Sequence, residues 1–392
     1  MVYNFDELVE RKNTDCEKWD NCRERFGRDD LLPLWVADMD FKTPDFIIDA
    51  LKRRLEHEVL GYPVRPASFY SAVKNWLHRR GWETDTQRMC FSPGVVPAIN
   101  FAVNAFTDAG DKILINTPVY HPFMHAVNNH GRTLVKSSLV NSGDGHYTVD
   151  FDDFEKKLAD GVKMYIMCSP HNPVGRVWTL DELKKTGELC LKYNVLVISD
   201  EIHSDLIFKP HRHIYFASIS EEFARQTVTF IAPSKTFNIA GLSSSIVYSD
   251  NIVLHEKFKK FVNNLSVSAG TVFGDIALEA AYTHGDNWLG QLLEYIDGNF
   301  EYVMDYLDRY IPCIKTRKPE GTYMMWLDCS GLNMTSSQIH EFMVSKAGLA
   351  VNPGRLFGSE GELFVRLNVA TQRAVLMKAM DNLRNAIKQK NG

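Results

Sequence analysis

A chain of 392 residues that is 45% hydrophobic and 24% charged carries enough apolar material for two or three packed domains. A formal net charge of −5 without a basic stripe argues against a nucleic-acid partner, and no stretch approaches the roughly 18 apolar residues of a membrane span. The start, Met1-Val2-Tyr3-Asn4-Phe5-Asp6-Glu7, lacks the basic-then-apolar design of an export signal. The seven cysteines are odd in number with no Cys-x-x-Cys pair, so reduced thiols in a cytoplasmic protein are expected.

From about residue 88, short apolar runs alternate with amphipathic stretches. Strands are expected at Met89–Ser92, Lys112–Asn116, Lys163–Ser169, Val195–Asp200, Val228–Ala232 and Ser245–Tyr248. A helix is expected over Thr179–Tyr193: Thr179 and Glu182 are spaced as a capping box, and Leu183, Leu189, Cys190 and Tyr193 fall near one face. This alternation implies βαβ units and a largely parallel sheet covered on both faces. After Asp286 the pattern changes to a long helix (Trp288–Tyr310), a strand (Thr322–Leu327), a helix (Ser336–Lys346), a strand (Leu363–Asn368) and a terminal helix from Thr371 to about Lys388. Residues 1–40 are too few and too polar to fold alone. The expected fold is therefore α/β, with a large domain over residues 41–286 holding a mostly parallel sheet. A small α+β domain is expected from residues 1–40 and 287–392.

In open parallel sheets, ligands bind beyond the carboxyl ends of the strands. The first strand leads to Pro93-Gly94-Val95-Val96-Pro97, a glycine turn opening a helix whose free N–H groups and dipole suit a phosphate. The next ones lead to Thr117-Pro118-Val119-Tyr120, to Pro170-His171-Asn172-Pro173-Val174-Gly175, to Asp200-Glu201-Ile202-His203 and to Pro233-Ser234-Lys235-Thr236. Each has an ordinary account alone: a solvated lysine, an aspartate capping a turn, a tyrosine in the core. On one sheet edge they supply together what pyridoxal 5'-phosphate (PLP) chemistry needs. A lysine carries the cofactor as an imine and moves the substrate proton. A carboxylate keeps the pyridine nitrogen protonated, an aromatic face covers the ring and a donor steadies its phenolic oxygen.

Pro170-His171-Asn172-Pro173-Val174-Gly175, Ser199-Asp200-Glu201-Ile202 and Ser234-Lys235-Thr236-Phe237 resemble, in order and spacing, the signature series of fold-type I PLP enzymes related to class I/II aminotransferases. Four segments resemble the cystathionine β-lyase-like (MalY/PatB-type) carbon–sulfur lyases within that group. They are Trp35-Val36-Ala37-Asp38-Met39-Asp40-Phe41, Gly94-Val95-Val96-Pro97, Ser199 to Asp205, and Lys235 to Leu242. The resemblance implies a fold-type I PLP-dependent transferase architecture, with Lys235 and Tyr120 catalytic. It implies that Asp200 pairs with the pyridine nitrogen, that Tyr120 stacks on the ring and that Asn172 reaches the phenolic oxygen and the substrate. The Val95 and Val96 amides and Ser234 hold the phosphate. Tyr62, in Gly61-Tyr62-Pro63, reaches cofactor and substrate in a neighbouring subunit, so a homodimer is implied. His203 stands where aminotransferases carry a tyrosine on the phenolic oxygen and is placed with the cofactor-binding residues; Ser243 stands where they carry a phosphate-binding arginine.

Arg366, inside Leu363-Phe364-Val365-Arg366-Leu367-Asn368, is costly unless paired. A structural ion pair and a clamp on a substrate α-carboxylate both answer that cost, and the resemblance favours the clamp. The implied reaction is α,β-elimination of L-cystathionine or a related S-substituted cysteine to pyruvate, ammonia and a thiol. The alternative is an aminotransferase using the same residues.

Other motifs are read as decoys. Ser71-Ala72-Val73-Lys74, Lys185-Thr186-Gly187 and Ser249-Asp250-Asn251 spell the elements of penicillin-recognising serine enzymes in the wrong order, with the middle one inside an expected helix. His121 and His125 have no third ligand, so no metal is expected. His211 and His213, in a proline-containing loop, are read as solvated.

Overall fold

Eight strands form the central sheet of the computed structural model, which describes residues 1–391. In chain order they are β1 (Met89–Ser92), β2 (Lys112–Thr117), β3 (Thr133–Asn141), β4 (Tyr147–Val149), β5 (Val162–Cys168), β6 (Leu196–Asp200), β7 (Thr227–Ile231) and β8 (Ser245–Tyr248). Their order across the sheet is β1-β8-β7-β6-β5-β2-β3-β4. Only β8 and β4 run against the rest, since β8 pairs antiparallel with both β1 and β7, and β4 pairs antiparallel with β3. The sheet buries both faces at its centre: every residue of β7 and β1 is buried, including the threonines Thr227 and Thr229 that alternate with apolar residues along β7. The parallel register sets Cys168 beside Asp200 and Asp200 beside Phe230, so the carboxyl ends of β5, β6 and β7 come out level.

All six expected strands are present, shifted by no more than two residues at either end. The two that were not expected form the far edge. β3 alternates at its exposed end and β4 has three residues, so neither carries a strong apolar signal. The helix Leu180–Lys192 opens on the expected capping box: Thr179 Oγ1 accepts from the Glu182 N–H at 3.2 Å and Glu182 Oε2 accepts from the Thr179 N–H at 2.9 Å.

Past the long helix Asp286–Tyr310, which buries Trp288, Leu292, Ile296, Phe300 and Val303 along one side, comes a four-stranded antiparallel sheet. Its strands are Lys315–Thr316, Met324–Asp328, Asn352–Pro353 and Phe364–Asn368. The helix expected over Ser336–Lys346 is α-helical to Glu341 and then widens into a π-turn over Phe342–Lys346. The terminal helix is Arg373–Asn391. The N-terminal arm joins this end of the chain, because Leu32–Pro33 pairs in parallel with Leu349–Ala350 and the Asn368 N–H donates to the Leu34 carbonyl.

The serine-enzyme motifs dissolve in this fold. Lys185, Thr186 and Gly187 lie in a helix, with Gly187 letting the Phe223 ring approach, and Asn251 caps the helix Ile252–Asn264. Among the described residues no three metal-ligating side chains cluster, no helix is long and apolar enough to cross a membrane, and all seven cysteines are free.

Candidate active site

The carboxyl edge of the large sheet closes over a cavity of about 170 Å³. Its lining includes Val95 and Val96 after β1, Tyr120 after β2, Asn172 after β5, Asp200, Ile202 and His203 after β6, and Ser234 and Lys235 after β7. Each comes from a different strand-to-helix join, so residues up to 140 positions apart meet because parallel strands end together.

At one end, β1 turns through Gly94, whose φ of 153° only glycine adopts freely, into the helix Val95–Phe106. No side chain caps this helix, and Pro97 has no N–H, so the Val95 and Val96 amides face the cavity's end unpaired. Ser234 and Ser244 also line the cavity, and the buried Ser244 Oγ has no hydrogen-bond partner among the described residues.

Asp200 is buried, and among the described residues one N–H satisfies it, that of Ile202 at 3.1 Å from Oδ1. Burial first, and then the neighbouring Glu201 charge, push its carboxyl up to about 7. Glu201 is itself fully buried and fully engaged, accepting from Ser199 Oγ at 2.6 Å and pairing with His213 Nε2 at 2.7 Å. The expectation that His213 is solvated is thereby corrected: its side chain is 5% exposed and is held by Glu201, while His211 is exposed as expected. Burial and the Lys235 and Arg366 charges hold His203 down to about 3, and its Nδ1 has no partner.

A buried acid near pH 7 has a stability signature. Folded Asp200 keeps its proton up to about pH 7 while the unfolded chain releases it near 3.8, so the folded state holds more protons in that window. Stability of the cofactor-free protein therefore falls as pH rises through it. The thermal midpoint of Asp200→Asn should gain on the parent protein from pH 4 to pH 7; parallel curves would contradict the assignment.

Lys235 Nζ donates to the Ala37 carbonyl at 2.7 Å, and Tyr323 OH donates to the same oxygen at 2.9 Å. Burial lowers the lysine to about 8, partly offset by Asp38 and Asp200. Arg366 is buried in the strand Phe364–Asn368 with no carboxylate partner among the described residues, so the ion-pair account of it fails. Its NH1 donates to Asn172 Oδ1 at 3.1 Å, its NH2 to Asn352 Oδ1 at 2.8 Å and to the Trp35 carbonyl at 2.9 Å, and its Nε has no partner. The Phe357 ring lies 4.8 Å from the guanidinium carbon. Burial lowers this arginine to about 10. A desolvated cation without a counter-ion is the arrangement that an incoming carboxylate relieves.

Tyr62 is not brought to this cavity. It is fully exposed in an irregular stretch between the helices Asp45–Leu55 and Ala67–Arg79, beside exposed Val59, Leu60 and Val64. Sequence reasoning missed the Ala37 carbonyl, Tyr323, Asn352 and Ser244. The only available signal was the Trp35–Phe41 segment, and it carried no hint that backbone oxygens there do the work. The unpartnered Ser244 Oγ, His203 Nδ1 and Arg366 Nε, the open amides at Val95 and Val96 and the under-satisfied Asp200 fit PLP with an amino-acid substrate.

The family model for class I and II aminotransferases matches residues 29–383. Cystathionine beta-lyase PatB of Bacillus subtilis is 42% identical over 98% of this chain and all of its own length. Cystalysin from Treponema denticola, whose crystal structure contains PLP, superposes with a TM-score of 0.97 at 39% identity, covering all of both chains. A PLP-bound protein from Clostridium difficile 630, named as an aminotransferase, gives a TM-score of 0.97 at 45% identity over 98% of this chain and all of its own. On the strength of both the family model and the full-length relative, the chain belongs to the class I and II aminotransferase family, in the branch of the PatB-type cystathionine β-lyases.

Proposed function

We propose that the protein is a PLP-dependent carbon–sulfur β-lyase that eliminates the thiol from L-cystathionine or a related S-substituted cysteine. The observation that carries the reading is Arg366 without a counter-ion beside a lysine of lowered basicity, in a chain 42% identical to a cystathionine β-lyase end to end. When bound, PLP supplies an electron sink for charge developing at the substrate Cα.

The protein's own residues do the rest. Val95, Val96 and Ser234 are placed to hold the phosphate, with Ser244 beside them. Asp200 would hold the cofactor's pyridine nitrogen, a cationic partner that would offset the carboxyl's burial and favour its ionised form. Tyr120 would cover the ring, and Asn172 and His203, which line the same cavity, would border its phenolic oxygen. Arg366 grips the α-carboxylate and so fixes which substituent of Cα faces Lys235. Lys235, lowered to about 8, is partly neutral near neutral pH and takes the Cα proton. The thiolate then leaves Cβ, and water converts the three-carbon fragment to pyruvate and ammonia. L-Cystathionine alone is expected to give pyruvate, ammonia and homocysteine in equal amounts; pyruvate without thiol would defeat the reading. An aminotransferase is the second reading, supported by the Clostridium difficile neighbour's name.

The active form is proposed to be a cytoplasmic homodimer in which Tyr62 completes the other subunit's site. The support is a solvent-facing strip of Val59, Leu60, Tyr62 and Val64 with no cover in its own chain. Sedimentation should give twice the chain mass, and Tyr62→Ala should weaken PLP retention; a fully active monomer would refute this. The division into residues 41–286 and 1–40 plus 287–392 is proposed on the pairing of the N-terminal arm with Leu349–Ala350.

A further inference from the structure

Residues 35–41 form no helix or strand, yet every one of their seven carbonyls accepts a hydrogen bond from a side chain. Arg366 holds that of Trp35 at 2.9 Å, and Asn368 Nδ2 holds those of Val36 and Asp38 at 2.7 and 2.6 Å. Lys235 and Tyr323 share that of Ala37. Asn238 Nδ2 holds those of Met39 and Phe41, both at 2.9 Å, and Gln372 holds that of Asp40 at 2.7 Å. Such a segment is a rigid strap, and two of its carbonyls meet the two cations of the active site.

Charges from the N-terminal arm pin the strap from behind. The Lys18 ammonium, 0% exposed, donates to Asp40 Oδ2 at 2.7 Å and faces Asp38 Oδ1 at 3.6 Å. Arg11 donates to Asp38 Oδ2 and Asp40 Oδ1, both at 2.7 Å, and to the Met39 carbonyl at 2.9 Å. Trp19 Nε1 donates to Asp40 Oδ1 at 2.9 Å. Two cations balance two carboxylates, and both carboxylates belong to the strap, one and three residues after Ala37. A four-charge cluster with Lys18 and Asp40 buried at its centre is an expensive way merely to anchor an arm, since apolar packing does that as well. What the charges add is a fixed angle and depth for the backbone that carries them, which begins at the residue after Ala37.

We propose that the Arg11–Lys18–Asp38–Asp40 cluster is a positioning device for the catalytic lysine, fixing the Ala37 carbonyl where it holds Lys235 Nζ whenever that nitrogen is a free amine. The proposal rests on the lyase reading above, in which Lys235 must be free while it carries the Cα proton. Arg11 and Lys18 line no part of the cavity and act through the strap. The ionisable groups facing Lys235 are Asp38, Asp200, Arg366, His203 and Tyr323, whose hydroxyl shares the Ala37 carbonyl; only Asp38 belongs to the cluster.

The test uses the holoenzyme with two variants, the charge-balanced Lys18→Met/Asp40→Asn pair and Asp38→Asn, the latter at a side chain 20% exposed. Each should lower kcat about 10-fold with KM changed less than about 2-fold, because the base is displaced rather than the substrate released. Asp38→Asn should also move the acid limb of the kcat profile to lower pH by about half a unit or more, since a carboxylate that favours the lysine cation is gone. In cofactor-stripped protein, the pH dependence of covalent PLP attachment to Lys235, followed by absorbance, should shift the same way. That second measurement does not depend on which amino-acid reaction follows, so failure of the lyase reading would leave it intact. If the paired variant does not fold, Asp38→Asn decides alone. Variants that lose thermal stability but keep kcat, the acid limb and the attachment profile would make the cluster a structural anchor and overturn the proposal.

Discussion

Lys235→Ala is expected to lower kcat for β-elimination by about 10³–10⁴-fold, the upper part of what a positioned general base contributes. No other group in the cavity can take over the proton. His203 is held near 3 by burial and by two neighbouring cations, which leaves it a feeble base at neutral pH. Tyr120 is pushed upward by burial and keeps its phenolic proton. Asp200 is buried and would be engaged by the cofactor's pyridine nitrogen. The fold should survive, because Lys235 Nζ makes one hydrogen bond, to Ala37, and its removal relieves a desolvated amine. Steady-state pyruvate release and a thermal melt check both halves. A loss under about 10-fold would move the base elsewhere.

Arg366→Ala is expected to cut kcat/KM by about 10²–10³-fold, within the 2–5 kcal/mol that removing one member of a buried charged contact costs. Two effects oppose each other in stability. Removing a buried cation without a counter-ion is favourable, while leaving the Asn172 and Asn352 side-chain oxygens and the Trp35 carbonyl without their donor costs about 1–3 kcal/mol for each buried group left unpaired. The melt should therefore move less than the kinetics. PLP should stay bound, since Arg366 is not one of the groups proposed to hold the phosphate. Lys in its place should restore little, because an ammonium cannot reproduce a planar fork that donates along two edges at once. Kinetics with L-cystathionine together with PLP absorbance separate these outcomes; an unchanged kcat/KM would place the carboxylate clamp elsewhere.

What could be read without coordinates was whatever the period of the chain and the ends of its strands encode. Asp200 and Lys235 were legible because each follows a continuous apolar run, and a parallel sheet must gather such ends at one edge. The Thr179–Glu182 capping box was legible because it is local. Long-range polar pairing was not. The bonds from Arg366 to Trp35 and from Asn368 to Val36 and Asp38 span more than 300 residues, and side-chain bonds to backbone oxygens leave no residue-type signature on the acceptor. His213 was misread for a different reason: a histidine between Arg212 and Ile214 looks solvated until the loop is seen to fold it back onto the Glu201 carboxylate, twelve residues earlier. The edge strands β3 and β4 were missed because exposure on one side erases the apolar run. Tyr62 was placed by resemblance alone, and it stands fully exposed, with no hydrogen-bond partner among the described residues.

The central claim is the fate of the substrate after Lys235 has taken its proton, and turnover without an acceptor tests it most directly. L-Cystathionine is supplied in large excess over the PLP-loaded enzyme with no keto acid, and pyruvate is followed by coupled reduction. A lyase regenerates its starting cofactor in every cycle, so pyruvate should exceed the enzyme concentration many times over, with homocysteine in step. Arrest after about one equivalent, relieved only by adding a keto acid, would contradict the account and make the protein an aminotransferase.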